Sequence, residues 1–385
     1  MLHDVAVVGA GPVGATLALA LADTGLDVVV LDARRAGEVT RADRSLALSH
    51  GARLILERLS VWRDLARDTG AATPITRIDV SQAGGFGALA LDAEELGWPA
   101  LGYVVRYRAL QAALDAAIVR SGVAVRRGCT ASVVGGTPAY AAVSLEPPDE
   151  GPVLARLAAV ADGSGAAMAG VARVSHDYEQ VALVAAIASA RPHGGTAYER
   201  FTPGGPLALL PEGDRYTLVW TVPAHRADRL RELSDAAFVA EVGERFGARA
   251  GGFTAAGERR AFPLVLEFAR DPVGTRCVAL GNAAQTLHPV AGQGFNVGLR
   301  DAYELAQIVA DSPRDRLGDR EMLDRYRRAR RVDRGAGIAF THTLVRVFGN
   351  DLAVARWPRG LALALLETIP VAKRAFTRAM LFGLR

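Results

Sequence analysis

The sequence predicts an α/β protein with a discontinuous parallel-sheet domain, an inserted antiparallel sheet and a helical C-terminal region. Three observations carry this. A strand, a glycine-rich turn, a helix and a second strand follow one another over residues 4–32. Short strand-like runs separated by Gly and Pro fill 176–222 without helical period, and a strand, a second glycine-rich loop and a helix recur at 276–311. At 385 residues the chain exceeds one ordinary core of ~100–200 residues, so at least two domains are expected. With 50% hydrophobic and 22% charged residues it can bury those cores.

Taken in order, residues 4–8 form an apolar, β-branched strand, 14–24 an Ala/Leu-rich helix and 27–32 the strand "DVVVLD". Leu48, Ala52, Ile55, Leu56, Leu59 and Trp62 recur at threes and fours, which predicts one helix over 45–66. Residues 74–103 turn Gly-rich and alternating, as hairpins or a loop excursion would. A helix at 106–120 leads into the strand 123–128, then another strand ending at "AVADG" (159–163). After the antiparallel runs come a helix at 234–247, the strand 276–281, a helix at 295–311, a long Arg-rich helix at 319–347 and an amphipathic helix at 360–382.

Composition excludes several classes. Lys+Arg 45 against Asp+Glu 41 gives a net charge of only +4, and the arginines are interspersed with acids, so nucleic-acid binding is not expected. Lys373 is the sole lysine, which excludes most lysine chemistry. No uninterrupted apolar run approaches the ~20 residues of a membrane-spanning helix. The N-terminal stretch carries Asp4, Asp23 and Asp27 with no basic leader, so the expectation is a cytoplasmic protein without a secretory signal. Cys129 and Cys277 have no framework spacing and read as small buried hydrophobes; the seven histidines form no cluster, so no metal is expected. Arg327, Arg328, Arg330, Arg331 and Arg334 read as a solvated helix face.

Gly9, Gly11 and Gly14 form G-x-G-x-x-G after a strand and at a helix start. The first permits a tight turn, the second lets backbone approach a pyrophosphate, and the third packs helix on sheet, while the helix N-terminus offers amides and positive dipole. Asp32 ends the next strand, where a carboxylate can accept a ribose hydroxyl. Together they point to a dinucleotide. A simple NAD dehydrogenase has no use for the second loop, "NAAQTLHPVAGQG" (282–294), whose Gly292, Gln293 and Gly294 precede a helix N-terminus suited to the electron-rich edge of a reduced flavin.

The strings "VAVVGAGPVGATLALAL", "RADRSLALSHGARLILERLSVW", "AYERFTPGGPLALLP" and "GNAAQTLHPVAGQGFNVGLRD" resemble the group A flavoprotein monooxygenases, typified by 4-hydroxybenzoate hydroxylase. They are most similar to the ubiquinone-biosynthesis hydroxylases, and among these to the 2-octaprenyl-6-methoxyphenol hydroxylases. The resemblance spans nearly the whole chain. It implies a glutathione-reductase-type, Rossmann-like FAD domain built from 1–73, 104–175 and 265–325, a substrate domain from 74–103 and 176–264, and a C-terminal helical region at 326–385. It further implies that Gly9, Gly11, Gly14 and Asp32 hold the adenosine diphosphate half of FAD, and that Arg44, Arg108, Asp162 and Gly163 contribute to the flavin site. Asn282 stands at the ribityl position, and Gly292, Gln293, Gly294 and Asn296 lie along the flavin, with His288 and Pro289 near the reaction centre. Read on its own, Arg44 is also a solvated charge at a helix start, and His288 is also a loop-capping residue.

In that family a reduced flavin and dioxygen give a flavin hydroperoxide, whose distal oxygen attacks an electron-rich phenol. The implied reaction is therefore ring hydroxylation of a polyprenylated phenol with NAD(P)H as reductant, on a pocket to which Tyr198, Arg200 and Phe201 contribute. Two departures matter: Ala166 replaces a family Ser, and Asn282 replaces a family Asp. They keep open a flavin-binding assembly subunit with little catalysis of its own, beside hydroxylation of a small soluble aromatic. The tail, with Lys373, Arg374 and Arg378 beside Leu, Phe and Met, suits peripheral contact with the inner membrane, docking of a partner from the same pathway, or packing on its own domain.

Overall fold

Val5–Val8 and Val28–Asp32 are buried at every position, because both faces of the sheet they share are covered, the condition under which parallel strands form. In the computed structural model, which describes residues 1–38, 44–68, 70–146, 151–165, 167–287, 292–348 and 353–383 apart from the side chains of 344–348 and 353–356, this sheet runs in the order Cys277–Ala279, Val153–Val160, Leu2–Val8, Val28–Asp32, Ala124–Arg127, all parallel. Thr130–Gly136 and Ala141–Glu146 add an antiparallel hairpin beside Val153–Val160. The α/β class read from the sequence is the class observed.

The helix Gln293–Ala310 packs against Pro12–Leu21 because two glycines, Gly298 and Gly281, meet Val13 without side chains of their own. A Cβ on Gly298 would lie 3.0 Å from Gly281 Cα and 3.0 Å from Val13 Cγ2. The second glycine-rich loop is thereby held against the first βαβ unit, although some 270 residues separate them.

The second sheet, antiparallel except where Thr196–Thr202 runs parallel to Arg77–Gln82, has nine strands among the described residues, in the order Gln285–Thr286, Arg260–Ala269, Arg173–Ser189, Arg215–Pro223, Gly205–Glu212, Thr196–Thr202, Arg77–Gln82, Ala88–Asp92, with Phe253–Ala256 paired to Arg173–Ser189. One face packs Leu207, Leu209, Leu218 and Trp220 against the helices Ala224–Glu232 and Asp235–Phe246. The other face turns toward the C-terminal helices. Sequence periodicity missed Arg260–Ala269, in which Pro263 interrupts the β-propensity, and the helix Ala224–Glu232.

Three further expectations are corrected. Residues 45–66 are not one helix: Ser45–Ser49 is a strand paired with Gly102–Arg106, helices follow at His50–Arg58 and Trp62–Arg67, and Ser60 at φ 58° separates them. The strand wins because its partner lies more than 50 residues away, beyond any local pattern, and because Gly102 lets the two backbones approach; a Cβ there would sit 2.4 Å from Leu48 O. The amphipathic tail is two helices, Ala353–Thr368 and Pro370–Phe382, since Pro370 cannot donate back into the preceding turn and starts a new helix instead. Finally, the arginine run is only partly solvated. Arg328 and Arg331 are exposed, Arg327 pairs with Asp271 at 3.0 Å, and Arg330 is 4% exposed between Asp301 and Asp333, 2.8 Å from each.

Candidate active site

The crevice above the parallel sheet is built by glycines. A Cβ on Gly14 would lie 1.9 Å from Gly9 O, and one on Gly9, at φ 97°, would lie 2.7 Å from Ala161 O. Neither position admits another residue without backbone movement, so the turn after Leu2–Val8 sits directly on the helix and beside Asp162. Gly11 differs. Its φ is −64°, and nothing stands within 4 Å of where its Cβ would be. It is the N-cap of Pro12–Leu21, with no side-chain cap and no acidic residue in the first turn. The open space at Gly11, facing uncapped helix amides, fits a pyrophosphate.

Asp32 is 5% exposed at the end of its strand and is engaged by arginines: Arg34 Nε donates to it at 3.0 Å and Arg127 Nη1 at 3.0 Å. Arg34 also grips Asp115 through both terminal nitrogens and donates to Ala10 O. Sequence reading missed Arg34, Asp115 and Arg127, which come from three elements; the register pairing Asp32 with Arg127 is set only by the sheet. Arg44 is exposed and lays its guanidinium 4.9 Å from the centroid of Tyr107, and Arg108 is exposed one residue further on. Burial, only partly offset by Arg44 and Arg34, pushes the Tyr107 phenol up.

Asp162 and Gly163 lie in a loop that closes on itself: Asp162 accepts from Ser164 N, Ser164 Oγ and Gly165 N. Arg173 donates to Ala283 O at 2.7 Å, and a Cβ on Gly165 would sit 2.5 Å from that same oxygen. This joins the loop to the short helix Gly281–Ala283, where Asn282 is exposed. Gly9, Gly11, Gly14, Asp162, Gly163 and Asn282 are thus brought together from three parts of the chain. His288, Pro289 and Ala166 lie outside the described residues.

Gly292, at φ 59°, opens the helix Gln293–Ala310 against Ala47. Asn296 is 2% exposed and its amide is committed to backbone: Oδ1 accepts from Ser49 N at 2.8 Å, and Nδ2 donates to Ala47 O at 3.0 Å and Gly292 O at 2.9 Å. It fastens the strand Ser45–Ser49 to the loop rather than offering a free donor. Gln285 anchors the short strand Gln285–Thr286 that follows Gly281–Ala283. It donates to Asp301 at 2.7 Å and accepts from Arg334 at 2.7 Å.

Gly292, Gln293 and Asn296 also border a cavity of about 340 Å³, closed by the antiparallel sheet on one side and the C-terminal helices on the other. Its wall is almost entirely apolar, with Leu210, Val219, Leu363, Phe376 and Met380 among the lining residues. Strand alternation decides which side chains face it. Phe201 does. Tyr198 borders the cavity, but its ring packs on Phe246 and its hydroxyl donates to Arg249 O. Arg200, expected in the pocket, points to the opposite face, with Nε directed at Arg245 O and Nη1 at Ser81 Oγ. Glu199, between them in sequence, faces the cavity and was missed, although the alternation of Ala197, Glu199 and Phe201 is legible in "AYERF".

Glycines that leave room for a pyrophosphate, and an apolar chamber beside the second glycine-rich segment, belong here to an FAD-dependent aromatic-ring monooxygenase. The family described as FAD binding domain matches residues 3–337, and relatives over the full length have the same character. More particularly, the chain belongs to the ubiquinone-biosynthesis hydroxylase family. It is similar to ubiquinone hydroxylase UbiL of Rhodospirillum rubrum (35% identity; 97% of this chain, 88% of that protein) and to 3-demethoxyubiquinol 3-hydroxylase of Escherichia coli (31%; 96% of each). Among solved structures, Pseudomonas aeruginosa PqsL shares the fold with TM-score 0.78 at 19% identity, over 94% of this chain and 100% of that one. Pseudomonas putida p-nitrophenol 4-monooxygenase does so with TM-score 0.76 at 16% identity, over 100% and 99%.

Proposed function

We propose that this protein hydroxylates the aromatic ring of a polyprenylated phenol in ubiquinone biosynthesis, the 2-octaprenyl-6-methoxyphenol type in particular, with NAD(P)H as reductant and dioxygen as co-substrate. The observation that carries the reading is the apolar chamber bordered by the Gly292–Asn296 segment, which suits a ring with a hydrocarbon tail. Residues 1–73, 104–175 and 265–325 form the cofactor side of this assignment, and 74–103 with 176–264 the substrate side. Gly9, Gly11 and Gly14 would hold the pyrophosphate, Asp32 the adenosine end, and Arg44, Arg108, Asp162, Gly163 and Asn282 the remainder. FAD, when bound, supplies the activation of dioxygen. The chain's own task is to exclude water, orient the ring and manage the proton of its hydroxyl. Phe201, Leu363 and Phe376 serve the first two needs.

Incubation of FAD-loaded protein with NAD(P)H, isotope-labelled dioxygen and a short-chain 2-polyprenyl-6-methoxyphenol is expected to place one labelled oxygen on the ring, read by mass spectrometry. Flavin bound without labelled product would favour a flavin-binding assembly subunit. Labelled product only from small aromatics would favour a soluble substrate.

We further infer a peripheral site on the cytoplasmic face of the inner membrane. No helix among the described residues is long and apolar enough to cross a bilayer. Trp357, Leu361 and Leu365 recur every fourth residue on one exposed helical face, with exposed Ile369 and Val371 beyond them and exposed Arg374 and Arg378 on the helix that follows. Inward-facing Leu363, Leu366, Phe376 and Met380 of the same two helices line the chamber, so the helix pair separates that outer face from the substrate. Lys373 takes no part, being 8% exposed and paired with Glu95 at 3.0 Å and Glu367 at 3.3 Å. Co-sedimentation with anionic vesicles is expected to exceed that with neutral ones and to fall for Trp357→Ser/Leu361→Ser. Equal behaviour of both proteins would remove this surface and leave a partner protein as its occupant.

A further inference from the structure

We propose that Glu199 is the catalytic base of the hydroxylation, accepting the proton of the phenol bound in the chamber; this rests on the reaction proposed above. Glu199 is the only carboxylate, and the only charged side chain, among the described residues that line the cavity. Its strand Thr196–Thr202 is central there: Ala208 lies opposite on one neighbouring strand and Val80 on the other, so the carboxyl is flanked by apolar residues within the sheet. The remaining elements packed over the chamber bring apolar or neutral groups toward it: Leu48 and Ser49 of Ser45–Ser49, Phe340 of Arg320–Phe348, and the C-terminal helices. Tyr198 is the one other titratable group on the wall. Asp79 and Arg249, paired at 2.8 Å, and Arg200 belong to the opposite face of the sheet.

An isolated carboxyl in an apolar chamber is costly to keep unless it is used. Desolvation, with no opposing charge, pushes Glu199 up to about 7 from an ordinary value of 4.5. At neutral pH it is therefore divided between carboxylate and carboxyl, the poise at which a side chain takes and returns a proton with least penalty. In the step assigned to it, the phenol O–H bond breaks, its electron pair stays on oxygen and the proton joins a Glu199 oxygen. The phenolate pushes electron density onto the ring carbons that accept oxygen. Dioxygen and NAD(P)H remain oxidant and reductant; the ring's own C–H proton leaves with the second oxygen atom of dioxygen as water, and Glu199 returns its proton to the product oxygen.

The test uses FAD-loaded wild type, Glu199→Gln and Glu199→Asp with a short-chain 2-polyprenylphenol. Three measurements are made: hydroxylation across pH, the absorption of the bound phenol, and stability across pH. Wild-type kcat should fall as pH drops through about 7. Glu199→Gln should lose about 10²–10⁴-fold in kcat with little change in KM and with that limb abolished, while Glu199→Asp restores part of the rate. The ultraviolet absorption of the bound phenol should shift in wild type as pH rises through about 7, when its hydroxyl donates to the Glu199 carboxylate, and should not shift in Glu199→Gln. Because the folded protein binds the Glu199 proton more tightly than the unfolded chain, wild type should lose stability relative to Glu199→Gln as pH rises from about 4.5 to about 7. Unchanged rate, pH profile and phenol absorption in Glu199→Gln would overturn the assignment while leaving the hydroxylase reading intact. A wild type whose bound phenol shows the Glu199-dependent absorption shift but yields no hydroxylated product would overturn the reaction while supporting the base.

Discussion

Asp301→Ala is expected to lower the stability of the protein by about 3–5 kcal/mol, the range for removing one partner of a buried charge network. Asp301 is 1% exposed and receives Arg330 Nε at 2.8 Å and Gln285 Nε2 at 2.7 Å. Its loss leaves the buried Arg330 cation with Asp333 alone, which Arg300 already claims at 2.9 Å. Burial opposes ionisation of Asp333, but Arg300 and Arg330 outweigh it and hold its carboxyl below the usual range. That part of the stability is present above pH ~4 and disappears as pH falls through the lowered value. Because Gln285 lies two residues beyond the short helix Gly281–Ala283 that carries Asn282, FAD affinity should fall together with stability. Denaturant unfolding and flavin titration measure the two effects. Replacing both charges with apolar residues, Asp301→Leu with Arg330→Met, should cost much less than the sum of the single changes. A loss below about 1 kcal/mol for Asp301→Ala would show that the network carries little of the fold.

Gly14→Ala and Gly11→Ala separate packing from ligand binding within one turn of chain. The Gly14 Cβ would collide with a backbone oxygen at 1.9 Å, which only movement of the whole βαβ turn relieves. A cost of about 3 kcal/mol or more is expected, seen as loss of soluble protein or a lowered Tm. The Gly11 Cβ meets nothing and its backbone is ordinary, so stability should change by no more than about 1 kcal/mol. On the proposed assignment, that methyl group would stand where the pyrophosphate approaches the helix amides. Loss of one charge-assisted hydrogen bond, about 1.5–3 kcal/mol, corresponds to about 10–100-fold weaker FAD binding. Gly11→Ala that binds FAD with unchanged affinity would move the pyrophosphate elsewhere.

The sequence by itself determined what is periodic or stereochemically exclusive. Uninterrupted buried runs at 4–8 and 28–32 marked parallel strands, and glycines at 9 and 14 marked a turn that sterics forbid to other residues, with Gly11 left open between them. The Gly/Pro-punctuated runs at 176–222 marked the antiparallel sheet, because turn chemistry is local. Tertiary structure decided where distant partners compete with local preference. Ser45–Ser49 became a strand because Gly102–Arg106 offers it hydrogen bonds, and Arg330 left the solvated face because Asp301 and Asp333 lie under it. It also decided which alternate side chains face which layer. One residue of register places Glu199 in the apolar chamber and Arg200 on the far side, and that register is set by the neighbouring strands, not by the segment itself.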